Sequence, residues 1–137
     1  MTTVTYTFDF GYENAGNGLV PLLQVVVRAP SGMAVTTDAC LDSGTSQSLF
    51  DGELLAGIGV ALFNGPERRY SSTVSGSGMT ARVHRVRLEH AQLGTFALDV
   101  GFSTVPISRN LLGRDFFELV QLGFRESHKS VFIEPNP

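Results

Sequence analysis

Residues 3–10 alternate strictly: Val4, Tyr6, Phe8 and Phe10 are apolar, while Thr3, Thr5, Thr7 and Asp9 between them are polar. A period of two marks a strand with one buried face. Residues 11–18 contain Asn14-Ala15-Gly16-Asn17-Gly18, a run of turn formers expected to be a loop. Residues 19–28 are apolar almost throughout, Ala29-Pro30-Ser31-Gly32 has turn chemistry, and 33–41 resumes extended structure, which predicts a β-hairpin over 19–41. A short extended piece, 48–50, leads to Asp51, which can cap a brief helix carrying Leu54, Leu55 and Ile58 among the disrupting Gly57 and Gly59. Residues 70–74 and 79–88 flank Ser75-Gly76-Ser77-Gly78, a hairpin tip almost without side chains. Strands are expected at 94–100 and 104–107, and a helix at 114–120, where Phe116, Phe117 and Val120 form an apolar stripe. A last hairpin, 121–125 with 130–134, turns at Glu126-Ser127-His128-Lys129. Many short strands and one late helix predict a mainly β barrel or sandwich.

Composition narrows the picture. The chain has 137 residues, enough for one domain over 1–137 and too few for two, with 42% hydrophobic residues to build a core. A net charge of −3, with acidic and basic side chains scattered, leaves no electrostatic footprint for nucleic acid or an anionic membrane. Cys40 is the only cysteine, so no disulfide forms within the chain and a cysteine-based zinc site is not expected. The first residues carry neither a basic flank nor an apolar run, and no segment reaches the roughly 20 apolar residues of a membrane span. These points lead to the expectation of a cytoplasmic protein.

The candidate chemistry lies at Asp42-Ser43-Gly44-Thr45. Alone, three turn formers in a row make a turn. The context says more: an apolar strand runs directly into Asp42, apolar Leu49-Phe50 follows, and the glycine-tipped hairpin comes next. Later in the chain, Leu111-Leu112-Gly113-Arg114-Asp115 opens a helix.

With these three elements in this order, the sequence from about 19 to 134 resembles the retropepsin family of dimeric aspartic proteases. The resemblance implies a closed acid-protease barrel with a flap hairpin and one short C-terminal helix. It implies an aspartic endopeptidase in which Asp42 is catalytic. Ser43, Gly44, Thr45, Leu112 and Gly113 would support the catalytic loop, and Val74, Ser75, Gly76, Ser77, Gly78 and Met79 would form the substrate-binding flap. Ser43 would hydrogen-bond across two symmetry-related loops. The partners implied are a second copy of the chain and a polypeptide substrate, with no metal and no cofactor.

The chemistry has its own logic. Peptide hydrolysis by this route needs two carboxylates holding a water, one accepting its proton and the other donating to the carbonyl oxygen. Carboxylates about 3 Å apart cannot both ionise, so the pair shares a proton and titrates as a unit. Only one Asp-Ser/Thr-Gly is present, because Asp9-Phe10-Gly11 and Asp99-Val100-Gly101 have the wrong middle residue. The second aspartate must therefore come from a two-fold partner. The N-terminal strand and loop, 1–18, and the last hairpin are the expected dimer-forming edges. Thr45 places a hydroxyl donor beside the carboxylate, which favours its charged form and an acidic pH optimum. The alternative reading is a non-catalytic dimerisation or peptide-binding module of the same fold.

Other residues have plainer expectations. Asp38 is an exposed strand position, Asp115 a helix-start carboxylate, and Cys40 a small buried hydrophobe. Arg114 would, by resemblance, pair with an acid near the catalytic loop, but the position used in retroviral members is Ser46 here. His84, His90 and His128 lack ligand spacing and are expected on the solvated surface.

Overall fold

The computed structural model describes residues 3–16, 18–72 and 75–137. In chain order the elements are β1 (Phe8–Gly11), β2 (Glu13–Asn14), β3 (Leu19–Val20), β4 (Leu22–Arg28), β5 (Ala34–Leu41), β6 (Leu49–Asp51) and α1 (Glu53–Ala56). They continue with β7 (Glu67–Ser71), β8 (Gly78–His90), β9 (Gly94–Ser103), β10 (Asn110–Leu112), α2 (Arg114–Phe117), β11 (Val120–Arg125) and β12 (Ser130–Pro135).

Seven strands form one sheet in the order β4-β5-β10-β6-β9-β8-β7, and β4 also pairs with β8. That extra pairing closes six strands into a ring, with β7 hanging on its outside edge. Closure gives every ring strand a neighbour on both sides over at least part of its length. A bidentate ion pair spans the seam: Arg28 Nε and Nη2 donate to the Glu89 carboxylate at 2.7 and 3.0 Å. The interior is filled by alternate residues of β4 (Leu23, Val25, Val27) together with Phe50, Leu88, Val100, Phe102, Leu112 and Phe116, all buried. Strand periodicity is thus what turns the apolar positions inward.

Turn chemistry explains the hairpins. In β4–β5 the Ala29 and Met33 backbones bond across the turn, with Gly32 at φ +96°. In β11–β12, Lys129 takes the left-handed conformation at φ +50°. Asp51 does hold the start of α1, accepting the Glu53 N–H at 3.0 Å, although Gly52 occupies the cap position itself.

The structure corrects several sequence expectations. The N-terminal strand begins at Phe8; its alternation persists, but Val4 is exposed because it has no sheet to join. The loop after it contains β2, which pairs with β3. No strand spans 104–107: β9 runs on to Ser103, and Pro106 then interrupts the ladder, so these residues form an irregular segment. The late helix ends at Phe117 rather than 120, because Val120 pairs with Pro135 as the first residue of β11. Strand β7 starts at Glu67, earlier than expected, and the rest of the expected 70–74 strand reaches Thr73 and Val74, outside the described residues.

The last hairpin is also not a free pair of strands. It forms a three-stranded sheet in the order β1-β12-β11, with Phe8 opposite Ile133.

Candidate active site

Asp42 sits where β5 leaves the ring. Its backbone N–H donates to the carbonyl of Leu112 in β10, the strand that runs parallel beside β5. The side chain is half-buried, and both carboxylate oxygens have donors: the Gly44 N–H at 2.8 Å on Oδ1 and the Thr45 hydroxyl at 3.1 Å on Oδ2. A Cβ at Gly44 would stand 3.1 Å from Oδ1, so glycine lets the backbone close on the carboxylate. The Ser43 side chain is exposed beside them.

Leu112 and Gly113 lie directly behind this loop. Leu112 is fully buried, and a Cβ at Gly113 would come within 2.5 Å of the Thr45 carbonyl oxygen, so that contact requires glycine. The loop is laced to α2 by backbone bonds, Arg114 N–H to Thr45 O at 2.8 Å and Asp115 N–H to Ser46 O at 3.2 Å.

Ser48, not singled out in the sequence, is the hub of the arrangement. It is fully buried. Its N–H and hydroxyl both donate to the Asp115 carboxylate, at 2.9 and 2.7 Å, and its Oγ accepts the Gly113 N–H at 3.0 Å. Its carbonyl accepts the Tyr70 hydroxyl at 2.8 Å and the Gly101 N–H at 3.1 Å. Every polar atom of a buried residue is thereby satisfied, the condition for burying it without penalty. Asp115 is structural, as expected, but through this cross-loop tie as well as through the Phe116 N–H at the start of α2.

The β7–β8 hairpin stands over the loop. A cleft of about 540 Å³ between them is lined by Gly44, Thr45, Gln47 and Leu49 below and by Tyr70, Ser72 and Met79 above. Ser75, Gly76 and Ser77 lie in the hairpin tip, whereas Gly78, expected there too, is already the first residue of β8, paired with Ser71; Met79 follows it in the strand, and Val74 lies outside the described residues. Tyr70 points into the body of the molecule, and burial pushes its phenol above the ordinary range. A larger cleft of about 660 Å³ opens elsewhere, beside Asp38, Asp51 and Arg109; no residue of the 42–48 loop lines it.

The remaining candidates divide. Asp38 is exposed in β5 and Cys40 is buried, its thiol pushed up by burial. Arg114 is exposed and makes no ion pair among the described residues. His128 is exposed, but His84 and His90 are half-buried and not solvated surface groups. His84 Nε2 contacts the Leu62 carbonyl at 2.7 Å, and its ring lies edge-on to Phe102. His90 Nδ1 accepts the N–H groups of Gln92 and Leu93, and burial lowers its affinity for a proton. No group of metal-ligating side chains occurs among the described residues.

No protein-family model matches the chain, and no curated protein does. Solved structures do match. A retropepsin-like aspartic protease from Rickettsia conorii superposes with a TM-score of 0.56 at 16% identity, over 84% of this chain and 93% of that one. The EIAV protease, in an inhibitor complex, superposes with a TM-score of 0.51 at 16% identity, over 75% of this chain and 89% of the other. The ring of strands and the loop it carries therefore have the retropepsin-like aspartic protease fold.

Proposed function

We propose that the protein is a homodimeric aspartic endopeptidase, with Asp42 of each of two chains forming the catalytic pair. The observation that carries this reading is the half-buried Asp42 carboxylate, with one donor on each oxygen, supplied by Gly44 and Thr45, which themselves line the cleft. Those donors hold it in one orientation and leave its outer lone pairs for a water and a second carboxylate. One Asp42 accepts the proton of the attacking water while the other, protonated, donates to the scissile carbonyl; the roles are interchangeable because the pair shares one proton. The exposed Ser43 hydroxyl suits a bond to the opposing loop.

The β7–β8 hairpin acts as the flap. An extended polypeptide lies between it and the catalytic loop, bound by main-chain hydrogen bonds and by alternate side chains entering the cleft. The second copy docks along the β1-β12-β11 sheet. There β12 is paired on both sides, so the outer edges of β1 and β11 are what the sheet offers a partner. Exposed Phe124 lies on β11. Among the described residues no helix is long and apolar enough to cross a membrane, and a single buried thiol suits the reducing cytoplasm.

The test is cleavage of a peptide library from about pH 3 to pH 8, with the mass of the protein in solution measured alongside. Asp42→Ala is expected to lower kcat/KM by about a thousandfold or more, to background, and pepstatin to inhibit the wild type. Cleavage that survives Asp42→Ala, or that comes from a strict monomer, overturns the mechanism. A dimer that binds peptides and cleaves none supports the non-catalytic peptide-binding module instead.

A further inference from the structure

We infer that Tyr70 is a positioning residue, a latch through which the flap strand and the catalytic loop hold each other in register. The inference rests on the protease reading above and adds to it a coupling between flap closure and the orientation of Asp42.

The geometry is specific. Strand alternation turns Arg68 and Tyr70 toward the barrel. The Tyr70 ring lies against Gly101 of β9, where any Cβ would collide with the phenol, so a glycine on one strand makes the slot for an aromatic ring on another. At the end of the slot the hydroxyl donates to the Ser48 carbonyl at 2.8 Å and accepts from Arg68 Nη1 at 3.2 Å. Arg68 therefore fixes the direction of the hydroxyl proton: with one lone pair engaged by the guanidinium, the O–H is left to point at Ser48.

Among the described residues, no other hydrogen bond joins hairpin residues 67–78 to loop residues 42–48. From Ser48 the chain of bonds runs to Gly113 and Asp115, from Gly113 by contact to the Thr45 carbonyl, and from the Thr45 hydroxyl to Asp42 Oδ2. Tyr70 also lines the cleft. A substrate side chain entering there rests on the latch itself, so occupancy tightens the flap strand and the loop together. Among the described residues β7 pairs with β8 alone, on the outside of the ring, which is why a separate tie to the body has something to do.

Tyr70→Phe keeps the ring in its slot and removes only the hydroxyl. Two readouts are compared in the purified protein: steady-state cleavage and amide hydrogen exchange. The expected result is a fall in kcat of about tenfold, the scale of one well-placed hydrogen bond, with KM little changed because the cleft walls remain. Exchange is expected to speed up at the Ser72 N–H in the flap and at the Asp42 N–H behind the loop. Faster exchange in the hairpin alone, with kcat unchanged, overturns the inference, as does no change at either place. If the wild type cleaves no peptide, the protease reading fails, and the paired exchange response alone decides whether flap and loop are coupled.

Discussion

The 42–48 loop and the tip of the β7–β8 hairpin are both short, polar and rich in serine and glycine, yet most of their hydrogen bonds go to opposite places. Between Asp42 and Ser48, beside the local bonds from Gly44 and Thr45 to Asp42, polar groups are tied to distant parts of the chain: Leu112, Gly113, Arg114, Asp115, Gly101 and Tyr70. In the tip the bonds are local. Ser72 N–H donates to Ser77 O, Gly76 N–H to Ser72 O, and the Ser75 and Ser77 hydroxyls bond each other at 2.7 Å. Similar residue types thus build a fixed floor in one place and a self-contained tip in the other. Only the floor is held by contacts that global folding must form. In the proposed protease, a carboxylate that must be aimed needs the first arrangement and a cover that must open to admit a chain needs the second.

Substitutions can break this contrast. The largest effect is expected from Ser48→Ala, which leaves the buried Gly113 N–H without its acceptor and strips one donor from Asp115. Denaturant unfolding should show a loss of about 2–3 kcal/mol, and a loss below about 0.5 kcal/mol would mean that the hub does not hold the floor. A smaller, more specific effect is expected from Thr45→Ala. The Thr45 hydroxyl donates to Asp42 Oδ2, one of the two bonds that hold the carboxylate in one orientation. Without that donor the carboxylate is free to turn, and kcat is expected to fall by about tenfold with stability little changed. An unchanged kcat contradicts the assignment. The smallest effect is expected from Ser77→Ala in the exposed tip: stability within about 0.5 kcal/mol of wild type, with any kinetic change confined to KM. A stability loss as large as that of Ser48→Ala would erase the distinction between floor and tip.

Three of the hairpins were legible because turn residues and alternation are local signals. Ala29-Pro30-Ser31-Gly32, Ser75-Gly76-Ser77 and the Glu126–Lys129 turn all fall between strands that the structure pairs. The loop at Asp42 was legible through its short motif and the glycine later in the chain. What sequence could not give was set by distant partners. Strand β10 has three residues and no alternation, and exists because β5 and β6 lie on either side of it. Val120 fits the apolar stripe of a helix equally well, and it is the ladder with β12 that makes it a strand. Ser48 and Tyr70 carry no motif at all, since their roles depend on Asp115 and Gly101. His84 looked like a surface residue because the Leu62 carbonyl and the Phe102 ring that make its half-burial tolerable come from elsewhere in the chain, whereas His90 is held by the nearby Gln92 and Leu93 amides.

The pairing of β1 with β12 places Phe8 opposite Ile133, almost the full length of the chain apart. During synthesis β1 emerges early and has no partner until β12 has left the ribosome. The barrel strands up to β9 can meet before that moment, but the β1-β12-β11 sheet cannot form. An unfinished chain thus lacks the surface on which the proposed dimer, and with it the proposed two-chain site, depends.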